Sequence, residues 1–199
     1  HYTWPSLANQ VIWGCGFTMT SVIMGHLGTD AVAANSIAQI AKNLAACLCL
    51  GIGTGAGIII GNELGQGNLA QAKKTGNKLC IISLITGAAS CVILFACIPV
   101  IQGFAGTLSP QAQDYLRFML FVCSYYLIGK SFSATVIGGI FSAGGDTRFG
   151  LICDTINMWA IIVPVGCIAA FVLHLPVPVV YFLLNLDEFT KMPLEIWYY

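Results

Sequence analysis

A stripe of glycines between residues 51 and 67 restricts the fold of this chain more than any other feature. Gly53, Gly57, Gly61 and Gly65 recur every four residues, so in a helix they lie on one face. In water, each interior glycine costs a helix roughly 1 kcal/mol relative to alanine. In a bilayer the helix is enforced, because unpaired backbone groups are costly there, and small residues let a second helix approach closely. The stripe therefore predicts the end of a membrane helix with a close helical neighbour.

The same run contains a possible dinucleotide-binding loop, because Gly51, Gly53 and Ala56 match the pattern G-x-G-x-x-A. That loop must follow a strand and open a helix, with an acidic residue about 20 positions later. Here the run follows a long apolar segment, and three lysines occupy the region where the acid should lie. The nucleotide-binding interpretation is therefore strongly disfavoured.

Composition favours a membrane protein. Of the 199 residues, 57% are hydrophobic and 8% are charged, whereas about 25% are charged in an ordinary soluble domain. The net charge of zero excludes the basic surface of a nucleic-acid-binding protein, so we expect a lipid bilayer and no nucleic acid as partner. The nine cysteines lie mostly in apolar runs without the spacing of a metal site, and we expect neither a metal nor a cofactor.

Six membrane-spanning helices are predicted, and the second is longer than one bilayer needs. Their approximate ranges are 5–24, 31–64, 79–101, 112–141, 149–173 and 177–189. The predicted last span ends where Asp187, Glu188 and Lys191 mark its exit from the membrane. The fold class is therefore all-α and polytopic.

The positive charges predict the orientation of these spans, because lysine and arginine are enriched in cytoplasmic loops. They occur after the second helix, after the fourth helix and in the tail, whereas the loops at 25–30, 102–111 and 174–178 contain none. We predict a plasma (inner) membrane protein with both ends of the chain in the cytoplasm. Because the chain begins with His1 and enters a helix almost at once, we expect it to be part of a longer polypeptide.

Lys42 is a candidate functional residue, since ionisable side chains at membrane depth are costly and rare. It lies about 11 residues into the second helix, or roughly 16 Å along it. Asn35, Gln39, Asn43 and Ala46 share its face at spacings of three and four. This polar stripe is predicted to face a cavity or another helix.

Lys130, within the fourth helix and one turn after Tyr126, is a second candidate. It is either a cavity cation that couples to proton or substrate binding or a lysine that snorkels towards water. Asn9 and Gln10 give the first helix uncharged polarity.

The remaining charged residues at membrane depth favour structural roles. Asp154 is interpreted as a hydrogen-bonded residue or a partner of Arg148, and Glu63 as a partner of the nearby lysines. No Ser-His-Asp or Cys-His grouping, metalloprotease motif or phosphate loop is present, so we expect neither an enzyme nor catalytic residues.

Several motifs resemble those of multidrug and toxic compound extrusion (MATE) transporters. Those similar to the seventh and eighth helices of that family are Pro5, Asn9-Gln10, Trp13-Gly14, Gly25, Gly28-Thr29, Ala31, Ala33-Ala34, and Gly61-Asn62-Glu63-Leu64-Gly65-Gln66-Gly67 with Ala72. A later group comprises Gly144-Gly145-Asp146-Thr147, Asp154, Trp159, Pro164, Leu175-Pro176 and Tyr181. Together they cover nearly the whole chain in the order of the family.

The resemblance implies that the chain is the C-terminal six-helix lobe of a twelve-helix antiporter whose N-terminal lobe lies outside this sequence. Such proteins export drugs and other amphipathic or cationic small molecules in exchange for H⁺ or Na⁺ by alternating access. The implied substrate and ion cavity comprises Asn9, Gln10, Asn35, Gln39, Lys42, Tyr126 and Lys130. The implied structural or hinge residues are Gly53, Gly57, Gly61, Gly65, Asp146, Asp154 and Pro164.

Two residues depart from the family pattern. Many relatives have a glutamate near the position of Gln10, and a glutamine cannot release a proton. Lys130 adds a positive charge, so either the substrate is less cationic than usual or an acid of the other lobe neutralises the lysine. The alternatives are an exporter of a lipid-linked precursor or metabolite on the same fold, and a non-transporting membrane fragment.

Overall fold

The computed structural model describes residues 3–104, 106 and 108–199, and this part of the chain is helical without strands. Its helices are α1 (Thr3–His26), α2 (Thr29–Gly65), α3 (Leu69–Phe104), α4 (Pro110–Phe141), α5 (Thr147–Val172), α6 (Val177–Leu184) and α7 (Asp187–Tyr198). Four of them, α2 to α5, are long and apolar enough to cross a membrane. The predicted all-α, polytopic fold class is confirmed.

α4 is the central helix of the bundle. In the most apolar 18-residue stretch of α4, 67% of the residues are buried inside the bundle. The corresponding fractions are 28% in α2, 22% in α3 and 39% in α5. α2, α3 and α4 pack on one another, α1 packs on α5, and α7 packs on α4. α3 exposes Ile81, Ile85 and Val92, an outward apolar face that suits lipid rather than water.

The glycine stripe of α2 contacts the second half of α4. A Cβ atom added at Gly53 would lie 2.6 Å from the carbonyl oxygen of Ala134, and one at Gly57 would lie 3.4 Å from the Cα of Gly139. A Cβ atom at Gly61 would approach Ala143 at 3.9 Å, whereas Gly65 has no neighbour within 4 Å. The close approach of a second helix therefore involves the first two glycines most directly.

α4 and α5 both contain segments of wider, π-helical turns. In α4 they cover Ala134–Phe141, the segment that packs on the glycine stripe. In α5 they cover Ile156–Ile162 and Ile168–Val172, on either side of Pro164. Pro164 lacks a backbone N–H, and its ring crowds the preceding turn, so it interrupts the helical hydrogen bonding between the two π-helical segments of α5.

Two predicted helix ranges are wrong. α3 begins at Leu69 rather than at 79, because alanine, glutamine and lysine in this polar segment favour helix and extend it by about ten residues. The last helix is not continuous over 177–189, since α6 ends at Leu184 and α7 begins at Asp187. The Asn185 amide donates to the carbonyl oxygen of Tyr181 at 2.9 Å, a local bond that competes with continued helix.

Among the described residues, four helices, α2 to α5, are long and apolar enough to cross a membrane by length and composition. The 24-residue α1 includes the polar residues Asn9 and Gln10, and the break after Leu184 divides the last apolar segment into two short helices. The six spans stay a prediction from the sequence.

Candidate functional site

A cavity of about 250 Å³ lies between α1, α2, α4 and α6, with contributions from α5 and from the start of α7. Five of the predicted cavity residues line it, and these are Asn35, Gln39, Lys42, Tyr126 and Lys130. The lining also includes the aromatic residues Trp13, Phe17 and Tyr181. The cavity thus combines aromatic, amide and charged groups inside an otherwise apolar bundle.

Lys42 reaches the break between α6 and α7. Its Nζ donates a hydrogen bond to Oδ1 of Asn185 at 3.1 Å and lies 4.5 Å above the centre of the Tyr126 ring. No carboxylate lies within ion-pair distance of Lys42 in the described residues. Asp187, which also lines the cavity, interacts electrostatically with this lysine.

Lys130 forms an ion pair with Glu188, the second residue of α7. Its Nζ lies 3.0 Å from Oε1 of Glu188 and 5.1 Å above the centre of the Trp13 ring. The Tyr126 hydroxyl donates to the same carboxylate oxygen at 3.2 Å. The predicted excess positive charge is therefore balanced within this chain, without an acid from another lobe.

Lys191 extends this network from α7 to α5 and α1. Its Nζ lies 3.4 Å from Oε2 of Glu188 and 3.0 Å from Oδ1 of Asp154. The Asn9 amide donates to the second oxygen of Asp154 at 3.0 Å. Four side chains, Lys130, Glu188, Lys191 and Asp154, therefore form a continuous chain of ion pairs, which we call the charge network.

Three expectations about charged residues can be compared with the structure. Asp154 is hydrogen-bonded as expected, by Asn9, but its ion-pair partner is Lys191 and not Arg148, which is exposed. Glu63 accepts a hydrogen bond from Thr75 at 2.8 Å, and none of the ion pairs in the described residues joins it to a lysine. Lys191 does not mark an exit to water, because only 4% of it is exposed.

Several other predicted site residues lie away from the cavity. Asn9 is part-buried against Asp154, and Gln10 is exposed on α1. Asp146 caps α5 by accepting a hydrogen bond from the Phe149 amide at 3.3 Å. It also accepts one from the Tyr198 hydroxyl, and this bond raises the pKa of that phenol.

Sequence reasoning missed the acidic residues of α7 as site residues. Glu188 and Glu195 are fully buried, and Asp187 is 6% exposed. Glu188, Lys191 and Glu195 are spaced by three and four residues, so they share one face of a helix. That spacing could have indicated a polar helix face packed against other helices. Charged residues directly after an apolar segment are, however, also typical of the point where a helix leaves the membrane.

The sequence profile of the MatE family matches residues 5–180. The chain is 24% identical over 175 residues to multidrug and toxin extrusion protein 1 of Oryctolagus cuniculus, which covers 87% of the chain and 30% of that protein. It is 25% identical over 164 residues to the probable multidrug resistance protein NorM of Bradyrhizobium diazoefficiens, over 78% of the chain and 34% of that protein. The chain thus spans about a third of the length of these relatives.

Solved structures share the fold at lower sequence identity. The crystal structure of MATE in complex with MaD5 superposes with a TM-score of 0.88 at 16% identity, over 97% of this chain and 43% of that one. An outward-facing multidrug resistance MATE family transporter of the MOP superfamily superposes with a TM-score of 0.80 at 16% identity, over 98% of this chain and 42% of that one. The helical arrangement is therefore that of part of these proteins.

Proposed function

Because the chain belongs to the MatE family, we propose that it supplies one half of a secondary active antiporter that exports small amphipathic molecules, drugs among them. The observation that carries this proposal is the cavity, which places aromatic rings, amides and lysines inside an apolar bundle. Transporters of this general kind bind substrates near the middle of the membrane, at the interface between two repeats. The exchange of substrate against H⁺ or Na⁺ by alternating access is part of the same proposal.

The size of the cavity supports a shared site. A cavity of about 250 Å³ is smaller than the roughly 300–1,000 Å³ of most small-molecule pockets. We propose that a second lobe in the native protein completes it. The relatives' greater length supports this arrangement, because the chain covers only 30% and 34% of the two relatives described above.

The charges of the cavity favour an amphipathic substrate over a strongly cationic one. Lys42 and Asp187 contribute opposite charges, and Glu188 balances Lys130. Organic cations bind over aromatic rings, but lysines already occupy such positions over Trp13 and Tyr126. The amides of Asn35 and Gln39 remain to orient polar groups of a bound molecule.

We place the native protein in the plasma (inner) membrane, with both ends of this chain in the cytoplasm. The distribution of lysine and arginine supports this orientation.

Reconstituted transport tests the proposal. The native full-length protein in liposomes should accumulate a fluorescent amphipathic dye when a proton or sodium gradient is imposed. Gln39→Leu should raise the KM for the dye by about tenfold, because the loss of one hydrogen bond to a substrate costs on the order of 1.5 kcal/mol. Ile40→Ala is the matched control, since Ile40 is the next residue of α2 and is 70% exposed on the outer face.

Absence of dye accumulation under both gradients would overturn transport of this substrate class. Equal effects of Gln39→Leu and Ile40→Ala would overturn the placement of the site. Transport of a lipid-linked precursor in place of the dye would favour the alternative exporter on the same fold.

A further inference from the structure

Glu195 is a buried carboxylate that lies beside the charge network without joining it. It is fully buried on α7, and neither of its oxygens has a hydrogen-bond partner of acceptable geometry in residues 3–104, 106 and 108–199. A buried carboxylate without a partner is very costly as an anion and tends to be neutral instead. A buried polar group without a hydrogen-bond partner is rare in native proteins and needs a physical explanation.

None of the ion pairs in the described residues includes Glu195. Glu188 and Lys191 face it from its own helix, and Asp154 and Cys153 face it from α5. Lys191 is the cation nearest in sequence, but it already contacts two carboxylates, those of Glu188 and Asp154.

The formal charges of the charge network cancel before Glu195 is counted. Lys130 and Lys191 contribute two positive charges, and Glu188 and Asp154 contribute two negative ones. An ionised Glu195 would therefore add one buried negative charge without compensation. A protonated Glu195 adds none, and its O–H group becomes a donor.

Ser133 of α4 provides the polar contact that a protonated Glu195 requires. Its hydroxyl interacts with the carboxyl groups of both Glu188 and Glu195, and it is buried without a well-formed hydrogen bond. A hydroxyl can both donate and accept. It can accept from the neutral acid of Glu195 while it donates to the Glu188 carboxylate.

We propose that Glu195 is a proton-binding site and that it communicates with the cavity through Lys191, Glu188 and Lys130. Release of the proton to water leaves a carboxylate on Glu195, one helical turn from Lys191 on the same face. This new charge draws the Lys191 ammonium away from Asp154 and Glu188. The Glu188 carboxylate is then paired only with Lys130, which lines the cavity. A substrate that contacts Lys130 competes with this ion pair, so its binding is coupled to the protonation of Glu195.

This inference rests on the proposed antiport and deepens it by naming the proton as coupling ion and a residue that carries it. Infrared spectroscopy of the full-length protein in lipid tests the site without any transport. The protein should show a carbonyl band from a protonated carboxylic acid at neutral pH, and Glu195→Gln should remove the part of the band that belongs to Glu195. Glutamine has nearly the same shape as the neutral acid, so this variant should fold.

Glu63→Gln is the matched control, because Glu63 is hydrogen-bonded to Thr75 outside the charge network. The control should keep the band. A band of equal intensity in wild type and Glu195→Gln, or the absence of any such band in the wild type, overturns the proposal. Loss of the band when Na⁺ is added at constant pH would assign the site to sodium and also overturn it.

Transport separates the failure of this site from the failure of the antiporter. With Glu195→Gln, dye binding should remain while the proton gradient no longer drives accumulation. If the band is present and depends on Glu195 but no dye moves in the wild type, the antiporter proposal fails and the proton site stands. Gradient-driven transport that is the same in wild type and Glu195→Gln overturns the coupling.

Discussion

Replacement of Gly53 by alanine tests how closely α2 and α4 must pack. The new Cβ atom would lie 2.6 Å from the carbonyl oxygen and 2.9 Å from the carbonyl carbon of Ala134. Both are backbone atoms, which cannot rotate away as a flexible side chain can. The two helices must therefore separate locally, along the segment where α4 adopts its wider turns.

Overpacking of this kind costs about 1–3 kcal/mol. For a domain of about 200 residues, 1 kcal/mol corresponds to roughly 2–4 °C in Tm, so Gly53→Ala should lower Tm by roughly 2–12 °C. The assay is thermal unfolding of the purified protein in one detergent, followed by intrinsic fluorescence.

Gly55→Ala provides the matched control, because a Cβ atom at Gly55 meets nothing within 4 Å. It should leave Tm unchanged or slightly higher, since alanine favours helix. Gly139→Ala places its Cβ atom 2.7 Å from the carbonyl oxygen of Gly53. The double variant Gly53→Ala/Gly139→Ala should be less destabilised than the sum of the two, because one separation of the helices relieves both contacts. Equal Tm values for Gly53→Ala and Gly55→Ala would refute the reasoning.

Three further predictions concern charges and caps. Glu188→Gln should lower the free energy of unfolding by about 3–5 kcal/mol, because it leaves the partly buried Lys130 without its carboxylate partner and Lys191 with Asp154 alone. Adding Lys130→Met should recover part of the loss in denaturation curves. Asp146→Ala should cost about 1 kcal/mol by removing the cap of α5, whereas Asp146→Ser should cost little; Tm measurements compare the two. Reporter fusions after residue 74 should be cytoplasmic and those after residue 106 should not, and the reverse result would contradict the orientation.

Much of the fold could be predicted because its causes are local. The second to fifth predicted spans correspond to α2 to α5, although α3 begins ten residues before its predicted span, since backbone hydrogen bonding in lipid leaves few alternatives to helix. The glycine periodicity predicted a close helical neighbour, and α4 packs on Gly53 and Gly57. The resemblance to MATE transporters is confirmed by the family profile over residues 5–180.

The last segment could not be predicted in the same way because its conformation depends on tertiary partners. In the sequence, Asp187, Glu188 and Lys191 follow an apolar run, which is the pattern expected where a helix leaves a membrane. In the structure the same residues are buried, and their burial depends on opposite charges from other helices. Asp154 lies 37 positions from Lys191, and Lys130 lies 58 from Glu188. Residues so far apart in sequence show no periodic pattern that would connect them. The sequence therefore identified Asp154 and Lys130 as candidate residues but did not predict their ion-pair partners.

Only part of the cavity could be predicted, because its lining also depends on contacts between helices that are distant in sequence. Asn35, Gln39 and Lys42 follow helical spacing on α2, and the structure places all three on the cavity wall. Gln10 was a candidate through the family resemblance and lies exposed on α1. Spacing within one helix can identify a shared face, but only the packing of other helices decides which face borders the cavity.

The contacts between α5 and α7 also restrict where α5 can bend. Asn157 donates to the carbonyl oxygen of Asp187 at 2.8 Å, and Lys191 pairs with Asp154. Both α5 residues precede Pro164, so the first half of α5 is tied to α7 while the second half lacks these ties. A hinge at Pro164 would therefore move the second half of α5 without breaking the charge network. Movement of the first half requires Lys191 to leave Asp154, which is the change that we propose follows loss of the proton from Glu195.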